Sequence, residues 1–382
     1  MMNEYKMIFA ADIVPTETNV KYFIQGDADH LFGSGISEIL KQADFRCFNL
    51  ETPLTRNKHE VKYPGPYHMS DPEILNALKK LDPSLITLGN NHILDQGEGG
   101  YKDTVQALKD ADIPFTGAGK NLEEAILPYI LHTDGMTIGI FNCSEYEFAA
   151  AGKNTAGANP YDPLLSFDLV RDLKEHCDHV IVLYHGGREF YRYPSPQLQR
   201  ICRKFIDCGA VMVICQHTHC IGCEESYHDG RIIYGQGNFL FDKKENEYKK
   251  TAILVRLTLR EDQTFTVEYL PVVTKNECVR LAEETESAGI MADFRRRSEE
   301  IKDEDFIRRQ YEKLAEQFYP SYVAKLLKHN LWSRAMQKIS GKKYYKEYYS
   351  PKEALAVLNM ISPENHAELF MTALRMNGKK EK

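Results

Sequence analysis

No stretch of this chain approaches the ~20 consecutive apolar residues that a membrane-spanning helix requires. The first apolar segment, Met7 to Ala11, is too short for the core of a secretion signal. The expectation is a cytoplasmic protein with no transmembrane segment. An excess of positive charge is also missing. With 48 Lys and Arg against 55 Asp and Glu the formal charge is -7, which argues against nonspecific nucleic-acid binding. No internal repeat is visible. The nine cysteines are an odd number, and Cys47, Cys143, Cys202, Cys208 and Cys215 lie in or beside apolar stretches, as reduced core residues do. Cys220 and Cys223, beside a pair of histidines, are soft-ligand candidates, with packing as the alternative. What is present is the composition of a soluble globular protein, 43% hydrophobic and 27% charged, and 382 residues allow one large domain and a smaller one.

Apolar runs recur along the first part of the chain, and they end in residues of one chemical kind. Met7 to Ala11 ends at Asp12, Phe45 to Leu50 leads to Glu51, and Ser84 to Leu88 leads to Asn91-His92 with Asp95 beyond. His179 to Tyr184 ends at His185, and Ala210 to Cys215 leads to His217-Thr218-His219. Helical patterns lie between them: Ile36 to Leu40, Asp71 to Leu81 with Asp71 as cap and Pro72 at the first position, Thr104 to Asp110, Leu169 to His176 and Gln197 to Cys208. Strand and helix alternate with a period of roughly 30 to 45 residues, the βαβ unit of an α/β protein. Ligands in such sheets bind beyond the carboxyl ends of the strands. One carboxylate or histidine at a strand end is as well explained by a turn or cap; five separate strand ends are not.

Thr251 to Leu259 and Phe265 to Val273 alternate as an antiparallel pair. Lys58 to Ser70 reads as a loop, and the irregular segment from about Glu145 to Phe167 is a candidate substrate-contacting loop. A domain of residues 1–275 and a helical region of 276–382 are expected, the latter with amphipathic helices over Phe306 to Tyr319, Tyr322 to Ile339 and Pro351 to Ile361. Lys342 to Lys346 with Tyr348 and Tyr349 is a basic-aromatic cluster that suits a polyanion or glycan, with a solvated helix face as the alternative.

Carboxylate oxygens, an amide oxygen and imidazoles together suit a divalent transition metal such as Mn, Fe or Zn. Asp12, Glu51, Asn91, His185, His217 and His219 are the ligand candidates, more than one tetrahedral ion requires, so one or two ions are expected. Paired ions about 3.5–4 Å apart lower the pKa of a water and clamp the oxygens of a displaced ester. His92 then has the position and the ordinary pKa of a proton donor to a leaving group, with Asp95 to orient its ring.

In order, Asp12, Asn49-Leu50-Glu51, Asn90-Asn91-His92-x-x-Asp95-x-Gly97, His185-Gly186-Gly187-x-Glu189, His217-x-His219 and Gly237-Asn238-Phe239 resemble the capsule-synthesis CapA family. That family is associated with poly-gamma-glutamate and resembles a branch of the calcineurin-like metallophosphoesterases. The resemblance spans about Lys6 to Asp242. It implies a four-layer α/β/β/α sandwich with metals at one sheet edge, the six residues above as ligands and His92 as the acid. Asn49, Asn90, Arg188, Glu189 and Asn238 complete the motifs as supporting or substrate-binding residues. The implied function is a metal-dependent hydrolase of capsule polymer biosynthesis, acting on an anionic polymer or a phosphoester with capsule-biosynthesis partners. The alternative is a non-catalytic polymer-binding or assembly factor on an inherited fold. Two departures stand out. Asp12 is followed by Ile13-Val14 where phosphoesterases of this kind carry Asp-x-His, leaving Asn19 or Glu189 to supply a ligand, and Glu51 stands where a bridging Asp is usual.

Overall fold

The computed structural model describes residues 4–59, 66–242, 247–326 and 348–361, together with residues 339, 345, 370 and 374. Two β-sheets carry the larger compact unit, Met1–Ile307. The first runs, from one edge, Cys278–Leu281, Phe265–Lys275, Thr251–Arg260, Glu4–Ile13, Phe45–Leu50, Leu85–Thr87 and Phe115–Thr116, and Asn238–Leu240 pairs in parallel with the end of Glu4–Ile13. The second runs Glu224–Tyr227, Gly230–Ile233, Met212–Gln216, His179–His185, Thr137–Ser144 and Tyr129–His132. The strands expected from their Val- and Ile-rich runs form its parallel centre.

Three buried clusters show the layering. Met7, Phe9, Phe45, Cys47 and Leu85 of the first sheet meet Ile181, Leu183, Met212 and Ile214 of the second, so the sheets pack face to face. Ile8, Ala10, Phe48 and Ile86 point the other way, onto Leu31, Phe32, Ile36 and Leu40 of the helix Ala28–Lys41 and onto Leu108 of Gly97–Asp110. Val180, Val182, Val213 and Cys215 pack on Val170 and Leu173 of Ser166–His176 and on Leu198, Ile201 and Phe205 of Pro196–Asp207. Helices, sheet, sheet and helices make the expected four-layer α/β/β/α sandwich. Because side chains alternate along a strand, each strand presents one set of residues to the inter-sheet core and the other to its helices.

Some elements differ from the sequence reading. The helix expected over Thr104–Asp110 begins at Gly97. Its first turn holds three glycines, poor helix formers, but a Cβ at Gly99 or Gly100 would crowd His59 or Gln96, and Gly97 takes a left-handed φ of +62°. The edge strand Tyr129–His132, half-buried and hydrogen-bonded to Thr137–Ser144, is four residues long, too short for a period to show in sequence. Beyond residue 275, Cys278–Leu281 extends the first sheet, and Glu284–Glu300 adds Phe294 to the inter-sheet core. In the second unit, Arg308–Lys382, the described helical residues include the remainder of Glu304–Leu326 and the helix Pro351–Ile361. The expected helix Tyr322 to Ile339, the basic-aromatic cluster and the Lys58–Ser70 loop lie partly outside the described residues.

One side chain ties the two sheets directly below the strand ends. Asn142 accepts the Gly89 N–H with Oδ1 at 2.8 Å and donates Nδ2 to the Leu183 carbonyl at 3.0 Å. Gly117, at φ +86°, leaves no room for a Cβ against the Asn142 carboxamide and the Gly89 nitrogen. Gly117→Ala is therefore expected to lower the free energy of unfolding by about 2–4 kcal/mol, through collision and a left-handed backbone that alanine resists. Denaturant unfolding checks it; a change within about 0.5 kcal/mol, the range of neutral surface substitutions, counts against this packing.

Candidate metal centre

Strand parity brings the site residues to one place. Cys47 faces the inter-sheet core, so Asn49 and Glu51, two and four residues on, fall on the same side. Ile181 and Leu183 do the same for His185 in the opposite sheet. Asp12 needs more. Ala10 faces the helices, and regular alternation would send Asp12 there too. Between them the register slips, Ala10 opposite Phe48 but Asp12 opposite Asn49, so Ala11 is an extra residue in a β-bulge. Ile13 then joins the helix-facing cluster, and Asp12 turns toward the second sheet. The histidine pair is redirected by its backbone. The strand ends at Gln216, and His217 and His219 take left-handed φ of 80° and 53°, sparsely populated for non-glycine residues and frequent at functional sites.

The result is one buried cluster. Asp12 and Glu51 are 0% exposed. His185 Nε2 lies 3.2 Å from Glu51 Oε1 and 3.0 Å from Asn91 Oδ1, and its Nδ1 lies 4.0 Å from Asp12 Oδ1. His219 Nδ1 lies 3.4 Å from Asp12 Oδ2 and 3.9 Å from Glu51 Oε2. Two triads have ligand atoms all within 4.8 Å of one another: Glu51, His185 and His217, and Asp12, Glu51 and His219. Glu51 belongs to both.

The residues fit a bound cation. Asp12 Oδ2, both carboxylate oxygens of Glu51 and His217 Nδ1 are buried without a hydrogen-bond partner. Burying such groups unpaired is costly, and buried charges are ordinarily paired or bound to metal. Burial by itself would raise the Glu51 pKa, but the imidazoles of His219, His185 and His92 bring it well below the usual carboxylate range. Burial first, and then neighbouring His185 and His219, push His217 well below the ordinary imidazole value, so it stays neutral and ligand-competent.

Around the triads a second set of side chains fixes orientation. Asn49 donates to Asp12 Oδ1 at 2.7 Å, and Asn90 donates to Asn49 Oδ1 and the Leu50 carbonyl. Asn238 Oδ1 meets His219 Nδ1 at 2.8 Å, the same nitrogen that approaches Asp12 and Glu51, so the Asn238 amide oxygen lies at the edge of the ligand set. His92 is held by its backbone N–H on Asn90 Oδ1 and by Nδ1 on Asp95 Oδ2 at 2.6 Å, so both its backbone and its ring are fixed. Burial would lower the His92 pKa, but the Asp95 hydrogen bond and the Glu51 and Asp95 charges raise it overall.

Other expectations do not join this cluster. Asn19 is committed elsewhere, accepting the Thr16 N–H at 2.8 Å and donating to the Glu277 carbonyl, so it is not the replacement ligand. Glu189, half-buried, and Arg188, exposed, sit in the turn after His185, and among the described residues neither belongs to a ligand triad. Cys220 and Cys223 are buried thiols, the first pushed up to about 11 by burial and the second well above its ordinary value, and neither joins a triad. Sequence reasoning missed Glu145, whose carboxylate accepts the Gly187 N–H at 2.9 Å and shapes that turn. It also missed His68, whose ring lies 4.2 Å from that of His92. Both come from irregular segments, where no periodicity marks a side chain's direction.

The family model described as "Bacterial capsule synthesis protein PGA_cap" matches residues 6–243. The chain is 29% identical over 269 residues to the PGA biosynthesis protein CapA of Bacillus subtilis (strain 168), covering 69% of this chain and 70% of that protein. It is 30% identical over 246 residues to the capsule biosynthesis protein CapA of Bacillus anthracis, spanning 62% of this chain and 60% of that protein. Among solved structures, a novel phosphatase from Mycoplasma pneumoniae aligns with 15% identity and a TM-score of 0.45, over 75% of this chain and 98% of that one.

Proposed function

The chain belongs to the bacterial capsule synthesis protein (PGA_cap) family, and on that premise we propose that it is a metal-dependent hydrolase of capsule-polymer biosynthesis. Its substrate bond is a phosphoester or a polymer amide, and its cofactor is one or two divalent ions of Mn, Fe or Zn. The observation that carries this is Glu51, buried with neither oxygen in a hydrogen bond, faced by the imidazoles of His185 and His219, shared by two ligand triads and lying beside a histidine–carboxylate pair.

Asp12, Glu51, His185, His217 and His219 would hold a divalent ion, which when bound would supply Lewis acidity toward a water and the substrate oxygens. The protein's own side chains do the rest. Asp95 fixes the His92 ring by Nδ1, so the proton on Nε2 is the one presented to the departing oxygen or nitrogen. Asn90 holds the His92 backbone and, through Asn49, the Asp12 carboxylate, so acid and ligand keep one mutual geometry. Asn91 Oδ1 approaches His185 at 3.0 Å, placing an amide oxygen at the ligand set. Among the described residues no helix is long and apolar enough to cross a membrane.

The test is hydrolysis by the metal-loaded chain on panels of phosphoesters and of gamma-glutamyl amides. Turnover in one panel that chelator abolishes and added metal restores is the expected result; inertness on both panels removes the catalytic reading. A second reading, a non-catalytic polymer-binding or assembly factor, draws support from Val14, an apolar residue where an Asp-x-His motif would place a ligand. It expects polymer binding that His92→Ala leaves unchanged and metal below one ion per chain.

A further inference from the structure

We propose that the cavity bounded by Glu17, Tyr67, His68, Phe241 and Asp242 is the leaving-group subsite of this centre, and that it takes an uncharged, ring-bearing group in preference to an anionic one. The proposal rests on the hydrolase reading and names the kind of substrate that reading leaves open.

Position comes first. The cavity has a volume of about 1000 Å³, enough for a group of drug or sugar size. Two of its walls are in ring contact with the centre: His68 lies 4.2 Å from His92, and Phe241 lies 5.6 Å from His219 in an edge-on arrangement. Thr52, the residue after Glu51, also lines it. A group in this cavity lies next to His68, which packs on His92, and the leaving group is assigned there because that is the side from which the acid's proton comes.

The wall is also fixed to the acid. The His68 N–H donates to Asp95 Oδ2 at 2.5 Å, the oxygen that holds His92, and Gln96 Nε2 donates to the His68 carbonyl at 3.1 Å. The two residues that secure this segment thus lie three and four positions after the proton donor itself, and cavity and acid keep a constant separation.

Charge decides what fits. Glu17 and Asp242 put carboxylates on the lining, and Asp242 is tied to it by the Thr18 hydroxyl at 2.7 Å. A third lining carboxylate, Asp71, is neutralised by Arg56 in contacts of 2.8 and 2.9 Å. Among the described residues no Lys or Arg lines the cavity. An anionic leaving group meets the like charge of Glu17 and Asp242, whereas the exposed ring of Tyr67 offers contact to a neutral ring. The amine half of a poly-gamma-glutamate bond is itself a glutamate and carries a carboxylate, so this subsite favours an ester of a sugar or aryl alcohol.

Equilibrium binding of two uncleavable probes to the metal-loaded full chain tests this: benzylphosphonate, and 4-carboxybenzylphosphonate, which differs by one anionic group. Benzylphosphonate is expected to bind about tenfold more tightly, the size of one moderately screened charge–charge contact. In the E17Q/D242N variant the ratio should fall to about twofold or less, and E17Q alone, at an exposed position, should take it part of the way. Equal or tighter binding of the carboxylated probe, a ratio unchanged in both variants, or no binding of either probe overturns the subsite. Discrimination without turnover of the matching esters would instead overturn the hydrolase reading and leave the subsite standing.

Discussion

His92→Ala should reduce turnover about 10²- to 10⁴-fold, the usual worth of a positioned general acid, without loss of bound metal. The separation of the two readouts follows from the geometry. His92 is anchored by Asn90 and Asp95, and it belongs to neither ligand triad. Removing its ring leaves Asp12, Glu51, His185, His217 and His219 in place, so metal content per chain should match the wild type. Asp95→Asn is expected to be milder, about 10- to 100-fold, because the ring remains but its tautomer and direction are no longer enforced. Activity on a substrate with a very good leaving group, which needs little protonation, should be the least affected. Parallel loss of metal and turnover in His92→Ala would instead make His92 a ligand.

Glu51→Gln should produce the other large effect, loss of metal itself. Its carboxylate is common to both triads, so one substitution removes an anionic ligand from each. Glutamine keeps the volume and leaves no cavity, which isolates charge from packing. Affinity should fall by more than ~100-fold, since even outer hydrogen-bond partners of metal ligands are worth 10–100-fold. Thermal unfolding gives an independent readout. A ligand at 100 times its Kd stabilises the folded state by about 2.7 kcal/mol, so wild type should melt at a higher temperature with metal than with chelator. In Glu51→Gln that difference should vanish. His217→Ala removes a member of one triad only, and should keep part of both the metal and the thermal shift.

The strands that build the site were legible in the sequence because their centres are simple. Val180 to Leu183 and Val213 to Ile214 are buried on both faces, so a continuous apolar run is what the fold requires. The residues after those runs were legible for the same reason: a polar group at the carboxyl end of a central strand has few places to point. Less legible was how each side chain is aimed. The bulge at Ala11 that turns Asp12 inward costs one residue of register and leaves no mark in composition. The left-handed turn at His217 and His219 is carried by residues that seldom adopt it, so no glycine announces it. His68 and Glu145 reach the site from segments without periodicity, and only the folded chain shows their neighbours. The proposed replacement of a missing ligand by Asn19 failed for a local reason: its side chain is occupied by Thr16 and the Glu277 carbonyl.

All of this turns on whether the Glu51 and Asp12 oxygens and the His217 Nδ1, none of them in a hydrogen bond, serve a cation. The most direct measurement is elemental analysis of wild type and Glu51→Gln purified side by side without added metal, and again after dialysis against Mn, Fe or Zn. The expected result is one to two transition ions per wild-type chain and next to none in the variant. A wild-type chain that is metal-free after both treatments, or a variant that retains the full complement, would contradict a metal centre built on Glu51.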